Sequence, residues 1–400
     1  MKKKHLIIAA IFALLASNVP KKLYAQTKPL SNQKISYIFS LEKKYLENAW
    51  DSVRITGKLP RSTQRGYKPI TDWTAGFYPG SLWFVYEFTK DKSVLKKAQY
   101  ATALLEADKD FSNDHDIGFL MYCSYGNGYR LTKDASYKDI LIHSSKTAIT
   151  RYHPKVKAIM SWNPNPERDW KFPVIIDNMM NLEMLLETTQ WTGDSTYYHV
   201  AVNHANTTLK NQYRDDFSCS HVVDYDPQTG EMRKRDWNNG NNDPKTAAWS
   251  RGQSWGLYGF TFMYRYTRNE KYLHHAENIA AYVLNHPNMP KDMVPYWDYN
   301  APNTPTMRDA SAAALLASGL LELSTLSNKN GLKYFKSAER ILVSLSSPAY
   351  LNTTGKGIFL LKHATGNFVQ KSELDAGLMY ADYYFLEALL RYQQLKQKFN

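Results

Sequence analysis

Four times along the chain, a short turn of nearly constant composition interrupts a helical pattern. It reads Tyr86-Glu-Phe-Thr-Lys-Asp91, Tyr129-Arg-Leu-Thr-Lys-Asp134, Gln190-Trp-Thr-Gly-Asp194 and Tyr264-Arg-Tyr-Thr-Arg-Asn269, with a degraded fifth copy at Leu326-Ser-Asn-Lys329. Within a few residues each is followed by an aromatic or a leucine (Leu95, Tyr137, Tyr197, Tyr272, Leu332) that opens another amphipathic segment. Strand signals are sparse, and about twelve segments carry helical periodicity. These are five helix-turn-helix connections. A sixth pairing joins the last helix, 376–395, with its regular stripe of Leu378, Ala381, Phe385 and Leu389, to the first, 32–55.

Helix hairpins repeated in this way either stack openly as a solenoid or close into a ring. Connections of unequal length, terminal helices without polar outer caps, and a count of about six favour closure. The predicted fold is all-α: an (α/α)6 toroid forming one domain over residues 26–400. Six parallel inner helices would be answered by six outer ones running back.

Residues 1–25 read as a secretory signal. Lys2–Lys4 form the charged start, Leu6–Ala16 the apolar run and Ala25 the cut site. The expectation is an exported protein, periplasmic or secreted. The apolar run is too short to span a membrane, and no later stretch qualifies. Removing the leader takes away five lysines and no acids, so the net charge falls from +13 to +8. That balance suits an anionic partner. The absence of Lys/Arg runs longer than a pair after the leader, together with export, argues against nucleic acid. Cys123 and Cys219 are either a pair or two buried thiols, and neither makes a disulfide scaffold.

In a ring of parallel inner helices, the starts of those helices converge. They read Asp72-Trp73-Thr74, His115-Asp116, Asp177-Asn178, Trp249-Ser-Arg251, Arg308-Asp309 and Ser372-Glu373: polar or aromatic in each case, before apolar bodies. The loops ahead of them carry Trp162, Trp170, His221, Trp237 and Trp297. The predicted site is a cup of aromatics, carboxylates and arginines at helix N-termini, which favour an anionic ligand.

Within Phe172–Leu186 (FPVIIDNMMNLEMLL), Ile175, Met179, Leu182 and Leu186 recur at helical spacing, while Asp177 and Asn181 share another face. Apolar neighbours should raise the proton affinity of Asp177; the alternative is a helix-start aspartate bonded to its own backbone. Asp116 has a similar setting, and two carboxylates in one cleft separate their proton affinities. Arg251 and Trp255, four apart, would face together, the arginine for a carboxylate and the indole for a sugar ring. The alternative for Arg251 is a bridge between helix starts. Trp73 is a further stacking candidate, and His115 and His221 are candidates for bonding hydroxyls. Metal-type histidine spacing, a phosphate loop and a dinucleotide fingerprint are missing, so no metal or cofactor is expected.

Several blocks together resemble the unsaturated glucuronyl hydrolases, glycoside hydrolase family 88. They are DWTAGFYPGSLW (72–83), HDIGF (115–119), VIIDNMMNL around Asp177, WSRGQSWGLYGF (249–260), YWDYNAP (296–302), RDASAAA from Arg308 and YADYYFLEALLR (380–391). The resemblance implies the same toroid and an enzyme that removes the 4,5-unsaturated uronic acid from the non-reducing end of lyase-generated oligosaccharides. It implies that Asp177 protonates C4 of the vinyl ether, with Asp116 as the second aspartate. It also implies that Trp73, Trp162, His221, Arg251 and Trp255 bind the sugar. Some relatives carry a Ser-x-Ser-x-Lys pattern associated with sulfated fragments; residues 362–373 lack it. The alternatives are an unsaturated rhamnogalacturonyl hydrolase acting on pectin fragments, a polysaccharide lyase on the same scaffold, and a carbohydrate binder. Nothing in the sequence sets an oligomeric state.

Overall fold

A computed structural model describes residues 28–236, 243–301 and 307–399; the leader and Trp237 lie outside the described residues. The chain is mostly helical. In order, the helices are α1 (Asn32–Thr56), α2 (Phe77–Thr89), α3 (Lys92–Ala103), α4 (Ile117–Met121), α5 (Asn127–Thr132), α6 (Ala135–Ile149) and α7 (Leu182–Thr192). There follow α8 (Ser195–Asn211), α9 (Ser250–Thr267), α10 (Glu270–Asn285), α11 (Ala310–Leu326), α12 (Gly331–Leu345) and α13 (Met379–Phe399). Among the described residues, none of them is long and apolar enough to cross a membrane. Cys123 and Cys219 are both buried free thiols.

The recurring turn has a single construction. Thr89, Thr132, Thr192 and Thr267 end their helices, each hydroxyl donating 2.7 Å to the carbonyl four residues back. The next residue, Lys90, Lys133, Gly193 or Arg268, adopts the left-handed conformation and closes the helix with its N–H. Asp91, Asp134, Asp194 or Asn269 then caps the following helix, its side-chain oxygen accepting from the N–H two residues on, at 2.7–3.2 Å. Left-handed backbone disfavours a residue with a Cβ. Where that residue is basic, its cation lies 5.5–5.7 Å from the ring of the tyrosine four back: Lys90 on Tyr86, Lys133 on Tyr129, Arg268 on Tyr264. The copy that lacks the tyrosine, at Gln190, uses Gly193.

Burial separates two layers. Helix α11 buries Ala310 through Ser324 without a break, and α9 buries Ser250 through Met263. Outer α3 buries only Val94, Ala98, Ala101 and Thr102. The stripe expected on the last helix is, in α13, burial on nearly every side. In the inner layer α9 packs on α11, α11 on α13, and α13 on α2; α2 meets α5, and α4 meets α7, which meets α9.

Among the described residues, three small antiparallel sheets, which helical periodicity did not reveal, lie in the connections. Strands β1 (Leu59–Ser62) and β2 (Gly66–Lys68) form a hairpin, as do β3 (Tyr152–His153) and β4 (Ala158–Ile159). Strands β5 (Pro173–Ile175), β6 (Val222–Tyr225) and β7 (Met232–Asp236) form the third sheet. The helix expected over Phe172–Leu186 is therefore corrected. Pro173 and the β-branched Val174 and Ile175 are extended, Ile176–Asn181 is a tight 3-10 turn, and α7 begins at Leu182.

Asp134→Ala removes the acceptor for the Ser136 N–H and hydroxyl, 3.0 and 2.8 Å away. It should lower stability by about 1 kcal/mol, seen as a lower urea midpoint at unchanged slope.

Candidate active site

The β5–β6 pairing assembles the first half of the site. Ile175 pairs with Val222, and the Ile176 N–H donates to the His221 carbonyl at 3.1 Å. Asp177, the next residue, thereby meets the His221 ring, with Nε2 3.3 Å from Oδ2. Asp177 Oδ2 and both His221 ring nitrogens are buried with no hydrogen-bond partner in the protein. The helix-cap alternative for Asp177 is not what the structure contains: no side-chain bond from it caps the turn. Buried polar atoms are as a rule bonded, so such atoms in a cleft wall mark where a ligand bonds.

The second half comes from the start of α4. Asp116 is buried, and its N–H donates to Asp114 Oδ1 at 2.8 Å. Burial, and then the negative charges of Asp114, Asp177 and Asp72, raise its proton affinity well above the carboxylate range. His115 lies one layer behind, its Nε2 3.4 Å from Asp116 Oδ1. Burial pushes its pKa down to about 3, against the pull of Asp177, so the imidazole is neutral.

These groups open into a cleft of about 200 Å³ walled by Trp73, Trp162, Trp249 and Tyr380. Trp162 stacks on Trp170 (5.4 Å between ring centres, 25° between planes), and Trp170 is fixed by its indole N–H donating to Asp236 at 3.0 Å. Trp249 lies 4.7 Å from the His221 ring. Arg251 is inserted between Trp249 and Tyr380, its guanidinium 4.6 and 5.1 Å from their rings. It donates to Asp309 Oδ2 (2.8 Å), Ser311 Oγ (3.0 Å) and the carbonyls of Thr365 and Gly366 (both 2.7 Å). The bridge between helix starts is therefore present, and the Asp309 charge answers the Arg251 charge at the cleft wall.

The Glycosyl Hydrolase Family 88 sequence model matches residues 45–384. The chain belongs to this family. One relative is an unsaturated glucuronyl hydrolase of Formosa agariphila, 48% identical over 330 residues, which span 82% of this chain and 81% of that protein. A crystal structure of an unsaturated glucuronyl hydrolase specific for heparin matches with a TM-score of 0.86 and 42% identity, covering 92% of this chain and 99% of that one. A mutant unsaturated glucuronyl hydrolase from a Streptococcus agalactiae relative, complexed with dGlcA-GalNAc6S, matches with a TM-score of 0.78 and 27% identity, covering 98% and 99%. Family 88 membership makes the chain a glycoside hydrolase.

Of the residues singled out in this family 88 sequence, Asp116, Asp177, Trp73, Trp162, His221 and Arg251 line one cleft. Trp255 requires correction: it is fully buried against Phe119 and Tyr384, 5.1 and 5.3 Å away. Four residues advance an α-helix by about 6 Å; on a helix buried all round, that carries Trp255 beneath the floor. His115 likewise backs the cleft instead of lining it. Sequence reasoning missed Arg61 and Arg65, supplied by the β1–β2 hairpin. Arg61 bonds both oxygens of Glu373 at 2.9 and 2.8 Å and Asp72 at 2.8 Å, and sits 5.9 Å from the Trp73 ring. Burial alone would raise the Glu373 pKa, but the Arg61 bonds hold it below the usual range. The only signal was the pair of arginines four apart in a Ser/Thr/Gln turn.

Asp309→Ala strands the Arg251 charge in a buried setting and also removes the cap of α11. It should destabilise the fold by about 3–5 kcal/mol, measured by equilibrium urea unfolding.

Proposed function

We propose that this family 88 enzyme is an unsaturated glucuronyl hydrolase in which Asp177 is the proton donor and Asp116 the carboxyl that keeps a proton within the pair. The observation that carries the reading is the unpartnered Asp177 oxygen 3.3 Å from His221, in an aromatic cleft beside a second buried carboxyl. The flattened face of a C4=C5 unsaturated ring suits stacking on an indole. Asp177 gives its proton to C4 of the C4=C5 double bond, and the cation spreads over C5 and the ring oxygen. Water, deprotonated by the resulting Asp177 carboxylate, adds at C5 to give a hemiketal. That ring opens to a C5 ketone, leaving a hemiacetal at C1, whose collapse releases the next sugar. One water is consumed, and the bridging oxygen is never protonated in the first step, unlike ordinary glycoside hydrolysis.

Trp73, Trp162 and His221 are read as the groups that hold the unsaturated ring, with Arg251 shaping the wall that meets its carboxylate. The basic net charge supports an anionic oligosaccharide. Solved relatives specific for heparin or complexed with dGlcA-GalNAc6S make glycosaminoglycan fragments the first substrates to offer. The inner-helix packing, in which α13 returns to α2, supports reading the chain as a closed (α/α)6 toroid. The leader-like residues 1–25 support export to the periplasm or beyond.

Unsaturated heparin, chondroitin, hyaluronan and pectin disaccharides, followed by the near-ultraviolet absorbance of the conjugated alkene, test the reading. Absorbance should fall with glycosaminoglycan fragments; a fall with pectin fragments alone, a rise on intact polymer, or no change would overturn it. Asp177→Asn should abolish the fall while retaining substrate binding by calorimetry, and substantial residual turnover would remove Asp177 from its role. Asp114→Asn keeps an acceptor for the Asp116 N–H but deletes the charge that raises the proton affinity of Asp116. The alkaline limb of the kcat/KM profile should then move to lower pH.

A further inference from the structure

Asn181 is buried in the turn that carries Asp177, and neither of its amide atoms reaches the cleft lining. Its Oδ1 lies 3.1 Å from the backbone N–H of Phe119, and its Nδ2 lies 3.1 Å from Nδ1 of His115. The first contact settles the second. A peptide N–H only donates, so the amide atom facing it is the oxygen, and the atom facing His115 is the NH2. An NH2 group only donates, so His115 Nδ1 is a bare acceptor. The imidazole is neutral, and its one proton is therefore on Nε2, the nitrogen 3.4 Å from Asp116 Oδ1.

We infer that Asn181 is a positioning residue that sets the tautomer of His115, so that the ring presents an N–H and not a lone pair to the Asp116 carboxyl. The packing is built around this contact. A Cβ on Gly118 would stand 2.3 Å from Asn181 Oδ1, so glycine at that position lets the amide reach Phe119. His115 Nε2 has no hydrogen-bond partner in the protein, so its N–H meets Asp116 Oδ1 at 3.4 Å as an electrostatic contact, one that favours Oδ2 as the seat of any proton Asp116 carries. The opposite tautomer would set two lone pairs against each other at 3.4 Å or trap the proton between them. Asp177, Arg151, His204 and His221 are the other charged or titratable groups whose fields reach His115. None of them bonds Nδ1, so the choice of tautomer falls to Asn181.

The inference rests on reading Asp116 and Asp177 as the reacting pair, and its test has a readout that needs no turnover. In protein carrying 15N-histidine, long-range proton–nitrogen NMR distinguishes bare from protonated ring nitrogens, and His115→Gln assigns the His115 signals. The wild-type spectrum should show bare Nδ1 and protonated Nε2; the reverse overturns the inference even if the enzyme is active. Asn181→Asp keeps the acceptor for Phe119 but presents only oxygen to Nδ1, so the His115 proton should move there. That variant should lose about ten- to hundredfold in kcat, with a smaller change in KM. In a His115→Gln background the same substitution should cost nothing further, whereas a role confined to packing gives losses that multiply. Multiplying losses, or a wild-type kcat and pH profile in Asn181→Asp, would also overturn it. Failure to hydrolyse any unsaturated uronide would remove the proposed activity and leave the tautomer result standing.

Discussion

Backbone pairing between Ile175 and Val222 is the constraint on which the chemistry depends. Asp177 and His221 are far apart in the chain, and neither has a side-chain partner that would hold it at the cleft. Ladder bonds place them, and ladder bonds are insensitive to what the side chains then do. The same strand pair anchors its neighbours: Ser161 Oγ accepts from the Ile175 N–H at 2.9 Å, and the Ser161 carbonyl accepts from the His115 N–H at 3.1 Å. The Trp162 loop, the Asp116 helix start and the Asp177 turn are thus tied to a single small sheet.

Charge in the cleft is handled by framing. Two of its arginines serve mainly to hold walls. Arg61 joins the β1–β2 hairpin to the loop carrying Glu373, and Arg251 joins the starts of α9 and α11 to the loop at Thr365. The half-buried Arg61 guanidinium is answered by carboxylates and the buried Arg251 by a carboxylate and two carbonyls, the condition under which a buried charge is tolerated. Asp116 has no comparable counter-ion close by; Arg151 lowers its proton affinity only as the last and smallest influence, so burial dominates. A carboxyl that resists ionisation keeps a proton in the cleft near neutral pH.

The helices were legible because the turns joining them are local. Thr, a left-handed residue and Asp or Asn complete their hydrogen bonds within nine residues, so composition alone announces them. Asp116, Asp177, Trp73 and Arg251 were legible because an inner-helix start is polar against an apolar body. The sheets were not. Strands as short as Tyr152–His153 carry no periodicity, and in Phe172–Leu186 the apolar spacing imitates a helix where Pro173 and the β-branched residues behind it extend the chain. Trp255 misled for a related reason: shared helical face predicts shared exposure only on a helix that has an exposed side, and α9 has almost none.

The two ends of the helical array differ in how much chain they hold. At one end four connections are single left-handed residues followed by a cap, and the fifth, from α11 to α12, is the short 327–330 link without either. At the other end the links run to dozens of residues and carry the sheets, the indoles and the arginines. An added residue at the tight end breaks two helix termini at once, whereas an added hairpin at the open end leaves every helix as it was. New sugar specificities on such a scaffold therefore have one direction in which to accumulate, with the opposite rim as the fixed hub against which they are tried.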